Sequence, residues 1–143
     1  MIKETPLILA TKTFVQQELA NAEGGHDWFH IERVYKNALL IAEEEDVNLD
    51  IIALGALLHD IGKTVTLSES MIYTATGTMV NHDSLTLELC ASALKQLSQT
   101  NPRYADILRH IWTCEKEQFR YSIKLNIASQ IQRFDREDSK EHS

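Results

Sequence analysis

Residues 49–63 read LDIIALGALLHDIGK, and this stretch decides the fold. The run from Ile51 to Ile61 is apolar around most of a helical circumference, which suits a helix enclosed by others rather than one lying on a surface. Asn48 predicts the N-cap of a helix from Leu49 to about Ile61, and Gly62 predicts a left-handed C-cap. His59 and Asp60 close the apolar run. Burying two such polar groups without a compensating role is costly, so the end of this helix is where a site is expected.

The flanking sequence is helical as well. Before it, Gly24 and Gly25 break the chain, and Asp27 predicts an N-cap for a helix from Trp28 to about Glu45 with Ile31, Val34, Ala38, Ile41 and Ala42 on one stripe. His30, Arg33 and Asn37 lie on a polar stripe beside it and so border a cleft. Pro6 opens a first helix with apolar positions Leu7, Ala10, Phe14 and Leu19. After it, TVTLSESMIYTATGTMV has no helical period and predicts an irregular or hairpin-like insert around residues 64–80, suited to closing over a ligand or to dimerisation. Helical spacing returns from Asn81 to about Leu97, with Leu85, Leu89 and Ala93 facing one way. Asn101-Pro102 opens a helix through Ile107 and Ile111 toward Glu115. A last helix from about Arg120 carries Ile123, Ile127 and Ile131 at spacings of four, and the charged tail from Arg136 is expected to fray. The expectation is all-α: one domain over 1–143, a bundle of five to six helices.

Composition sets the outer bounds. With 143 residues and 43% hydrophobic content, one sizeable core is available. Fourteen basic against 21 acidic residues give a net charge of −7, which argues against a nucleic acid polymer or an anionic membrane as partner. A single phosphate in a pocket is compatible with that charge, because a lysine and an arginine close by outweigh a screened distant field. Cys90 and Cys114 form no CxxC pair and read as packed thiols. The opening MIKETPLILATKTFV has an apolar run of only four residues, so neither a signal peptide nor a spanning helix is expected, and the expected compartment is the cytoplasm.

Imidazole and carboxylate together suit borderline divalent ions. Here the segments GHDWFHIERVYKNALLIAEEE (25–45) and LGALLHDIGK (54–63) resemble the opening of the HD-domain superfamily of metal-dependent phosphohydrolases, over about residues 24–63. That resemblance implies that His30, His59 and Asp60 bind a divalent metal (Mn, Fe, Zn, Ni, Co or Mg), and that Arg33 and Lys63 sit where a substrate phosphate would lie. Asp60, Lys63 and Arg33 are then the catalytic candidates. NHDSLTLELCASAL (81–94) resembles the family's next helix, with His82 as a substrate-binding or second-metal residue; Cys114 falls where the family carries a further histidine. KLNIASQIQRFDRED (124–138) resembles the late helix that supplies the last aspartate ligand, with Ser129 or Gln130 at that position. Asp135 and Asp138 would reach the site only in a different helical register, and otherwise read as solvated tail charges. The implied substrate is a nucleotide or other small phosphate ester. The alternative is a degenerate HD domain that binds a ligand or partner without hydrolysis, with a homodimer possible in either case.

Overall fold

A computed structural model describes residues 4–20, 26–66, 72–114 and 126–141. Eight helices follow one another among them: α1 (Pro6–Ala20), α2 (His26–Ala42), α3 (Leu49–Leu58), the single turn α4 (Lys63–Thr66), α5 (His82–Leu89), α6 (Ala91–Thr100), α7 (Pro102–Thr113) and α8 (Asn126–Glu141). The count exceeds five to six because α4 is one turn and because the helix expected over 81–97 breaks at Cys90 (φ −94°, ψ 3°) into α5 and α6.

The apolar α3 is the centre. Six of its ten residues are buried, and α1, α2 and α7 pack around it while α8 lies along α2. Trp112 of α7 is buried and donates its indole N–H to Gly55 O at 2.9 Å. Each large side chain enclosed this way, among them Leu57, Ile111 and Ile131, contributes roughly 1.5–3 kcal/mol by leaving water.

Local chemistry sets the helix ends. Asn48 accepts from Ile51 N, Asn81 from Ser84 N and Asn101 from Tyr104 N, as expected of N-caps, and Pro102 occupies the first turn of α7. Thr5 caps α1 through Ile8 N. Asp27 lies inside α2 rather than before it.

Three expectations about faces are corrected. In α1 the buried set is Ile8, Val15 and Leu19, while Leu7 and Phe14 are exposed; Lys12 sits between the buried positions, its ammonium 4.6 Å above the Tyr35 ring and paired with Glu4. An amphipathic lysine filled the register that the sequence pattern left out. Leu85 is buried as expected, but Leu89 and Ala93 are exposed, and past the break at Cys90 the buried position is Leu94. Gly62 does not take the left-handed conformation: tight turns lead directly from α3 into α4, and a β-carbon there would lie 1.9 Å from His82 O. Glycine is required by close approach, not by φ.

The insert around 64–80 begins as α4 and returns to it, with Thr74 N donating to Thr66 O at 2.9 Å, and then runs through turns to Val80; residues 67–71 lie outside the described set, as does Ile123. Among the described residues no helix is long and apolar enough to cross a membrane.

Candidate metal centre

The end of α3 is fixed to α5 by Thr86, which is fully buried: its hydroxyl accepts from Gly62 N at 2.9 Å and donates to His82 O at 3.0 Å. This contact holds His59 and Asp60 opposite His30 of α2. Both histidines and Asp60 are buried.

The fourth member comes from α8, and it is Asp135. His30, His59, Asp60 and Asp135 each offer one ligand atom, all within 4.8 Å of one another. The resemblance put the late aspartate's position at Ser129 or Gln130; the carboxylate that α8 brings to this group lies six or five residues later. The tail expected to fray is likewise helical to Glu141, with Asp138 buried. A signal for both was present: Ile127 and Ile131 are buried four residues apart, and continuing that stripe by four and then three gives Asp135 and Asp138. Carboxylates on a core-facing stripe mark a site rather than a solvated tail.

The distances fit a small dication. Ligand atoms about 2.1 Å from a common centre lie roughly 3.0 Å apart in octahedral and 3.4 Å apart in tetrahedral geometry. His59 Nε2 lies 3.3 Å from Asp60 Oδ2 and 3.2 Å from Asp135 Oδ1, and His30 Nε2 lies 3.5 Å from Asp60 Oδ2. The His30 Nε2 to Asp135 Oδ1 contact is shorter, at 2.7 Å, as in a charge-assisted hydrogen bond. Asp60 Oδ2 is fully buried and makes no hydrogen bond of good geometry, although three nitrogens surround it at 3.2–3.5 Å. A buried carboxylate oxygen with acceptor capacity to spare, faced by the Nε2 atoms of two imidazoles, suits a shared divalent ion. Two carboxylates and two imidazoles also match the charge and the donor preference of a borderline divalent ion.

The outer partners select the ligand nitrogens. His59 Nδ1 is hydrogen bonded to Ala56 O, and His30 Nδ1 to Asp138 Oδ2 at 2.7 Å, so in both rings Nε2 is left to face the cluster. This is the pattern by which proteins fix a ligating histidine.

Within the cluster the imidazoles and carboxylates hold one another in their charged forms against burial. Burial opposes a charge on His59, but the Asp60 and Asp135 carboxylates outweigh it and hold its pKa well above the ordinary value; His30 is raised against burial by Asp135, Asp60 and Asp138. Burial would raise Asp60, yet His59 and Lys63 hold it well below the usual carboxylate range, and Asp135 is lowered against burial by His59 and His30.

The remaining candidates surround this centre. Lys63 Nζ is 3.2 Å from Asp60 Oδ2, and His82 Nε2 is 3.3 Å from Asp60 Oδ1 and 3.2 Å from Asp83. Arg33 Nε donates to Asp138 Oδ1 at 2.7 Å. Cys114 is buried in the apolar core and is not part of the cluster. A cavity of about 460 Å³ opens beside His82, lined also by Tyr73, Thr78, Met79 and Asn81. A second, of about 350 Å³ between Asn48, Ile52 and Tyr104, contains no member of the cluster.

The family model for the HD domain matches residues 28–139. An uncharacterised protein, YpgQ of Bacillus subtilis, is 38% identical over 77 residues, which are 50% of this chain and 38% of that protein. The 3'-5' exoribonuclease YhaM of Listeria innocua is 30% identical over 86 residues, 58% of this chain and 27% of that protein. The matches thus span well under half the length of these relatives, and no solved structure matches. With the family model covering most of its length and the two histidines and two aspartates assembled from α2, α3 and α8, the chain belongs to the HD-domain family.

Proposed function

We propose that this chain is a metal-dependent phosphohydrolase acting on a nucleotide or another small phosphate ester. The observation that carries the reading is the convergence of His30, His59, Asp60 and Asp135 around one point, with Asp60 Oδ2 buried and unsatisfied. A divalent ion held by His30, His59, Asp60 and Asp135 would lower the pKa of a water and polarise a phosphoryl oxygen.

The chain's own residues do the rest. Lys63 and Arg33, within reach of the cluster through Asp60 and Asp138, offset the charge that grows on the phosphate. His82 touches the far oxygen of Asp60 and also lines the adjoining cavity, which places it to hold or pass a proton between the ligand carboxylate and the ester. The exposed Tyr73 ring and Met79 thioether of that cavity offer a contact surface for the organic part of the ester.

Asp135, a second carboxylate facing the two histidines and Asp60, favours hydrolysis over binding without hydrolysis. The test is metal analysis of the purified protein and a screen of phosphate esters with added manganese, nickel or cobalt. A short oligoribonucleotide belongs in the screen, since the activity named for the Listeria relative is on RNA, and the net charge of −7 predicts weak turnover of it. The expected result is one ion per chain and ester turnover, both lost in His59→Ala. Stoichiometric metal with no turnover of any ester would favour binding without hydrolysis.

A further inference from the structure

Asp138 stands outside the four-residue cluster, three residues beyond Asp135, in what the sequence presents as a charged tail. It is nonetheless only 5% exposed. Its two oxygens are divided between two functional candidates of α2: Oδ2 meets His30 Nδ1 and Oδ1 meets Arg33 Nε, each at 2.7 Å. His30 and Arg33 are three residues apart and so share a helical face, and a single carboxylate spans both. The cost of burying that carboxylate is met by the guanidinium and the imidazole, which hold its pKa below the ordinary value against the effect of burial.

The consequence for His30 is specific. An imidazole binds a cation through a nitrogen that carries no proton, so the proton of a neutral ring must sit on the other nitrogen. Donation of Nδ1–H to Asp138 puts it there and leaves Nε2, which faces Asp135 Oδ1 at the same 2.7 Å, as the nitrogen open to an ion; a ring held at both nitrogens does not rotate away from His59 and Asp60. Arg33 is oriented through Nε, the one guanidinium nitrogen that lies on the stem, and among the described residues its terminal nitrogens are not engaged by that bond.

We propose that Asp138 is a positioning residue that sets the ligand nitrogen of His30 and the orientation of Arg33 together, building the metal-side and phosphate-side groups as one unit. The proposal rests on the metal-site reading above. It goes beyond that reading by assigning a role to a residue that is neither ligand nor substrate contact.

The experiment is a cobalt(II) titration of the whole chain, read by the visible absorption of the bound ion, for wild type, Asp138→Asn and Asp138→Ala. Circular dichroism melts of each variant accompany it. Imidazole nitrogen chemical shifts of the metal-free wild type, recorded well above the histidine titration range, report the proton position on His30 without any metal or any variant. We expect His30 to carry its proton on Nδ1, and cobalt affinity to fall about 10–100-fold in both variants, the range for loss of an outer-shell partner of a ligand. A proton on His30 Nε2, or unchanged cobalt affinity in Asp138→Asn with cobalt binding intact in wild type, overturns the inference. Absence of cobalt binding in the wild type overturns the metal-site reading itself. If a variant fails to fold, the nitrogen shifts of the wild type still decide.

Discussion

At the scale of the residue, the site depends on which atom of each side chain faces the common point. Asp60 Oδ2 makes no good hydrogen bond although it is enclosed by nitrogens, while its partner oxygen is held by His82; the two oxygens of one carboxylate have different duties. His59 and His30 are each tied through Nδ1, one to a backbone carbonyl and one to a carboxylate. The role of Asp135 yields a sharp prediction. Asp135→Asn replaces one of two negative charges in the cluster by a neutral amide and should weaken divalent-metal binding by about 100-fold or more, beyond the usual effect of an outer partner. Gln130→Ala should leave it unchanged. Isothermal titration with manganese or cobalt separates the two, and equal losses would mean that Asp135 is not a ligand.

His30, His59 and Asp60 were legible because each lies at a place where a polar group is expensive: beside a core stripe, or at the end of a helix buried on all sides. Asp135 was not, because the resemblance puts the last aspartate at Ser129 or Gln130 and Asp135 itself lies in a strongly charged stretch. Its neighbours Arg133, Arg136 and Glu137 make the segment look like a solvated tail, and only the spacing from Ile131 distinguishes the inward charges from the outward ones.

At the scale of the element, the turn after α3 does the positioning. Gly62 allows α5 to approach so closely that its backbone touches the turn, and Thr86 satisfies the Gly62 N–H inside that contact. Thr86→Val keeps the shape but leaves the N–H buried without an acceptor, and it should cost about 1–3 kcal/mol by chemical denaturation. A loss below about 0.5 kcal/mol would show that water or a backbone carbonyl takes over. The sequence named Gly62 as special but for the wrong reason, since a close approach is a property of the partner helix and leaves no mark in the local pattern. The insert gives a second test. If the cavity beside His82 holds the organic part of the ester, Tyr73→Ala should raise KM for a nucleotide several-fold and leave turnover of a small ester such as glycerol phosphate within twofold. A parallel loss on both substrates would place Tyr73 in the fold and not in recognition.

At the scale of the whole molecule, the cluster shapes stability against pH. Asp60, Asp135 and Asp138 have lowered pKa values, so their contribution is present above the unfolded carboxylate value near 3.9 and is lost as pH falls through the folded values. His30, His59 and His82 have raised values, so theirs is complete below about 6.5 and is lost as pH rises through the folded values. The metal-free protein should therefore melt highest between about pH 4 and 6.5 and fall on the alkaline side. A saturating divalent ion, which prefers neutral imidazole, should move that optimum upward. Melting curves from pH 4 to 9 with and without manganese check this, and coincident curves would count against it.

The all-helical frame around α3 was readable from period alone. The helix count was less so, because no glycine or proline in the chain marks the break at Cys90. The most direct test of the account is an anomalous difference map from crystals soaked in manganese or zinc. The account predicts one strong peak between His30 Nε2, His59 Nε2, Asp60 Oδ2 and Asp135 Oδ1. A well-ordered crystal with no peak at that point, or with the ion bound elsewhere, would contradict it.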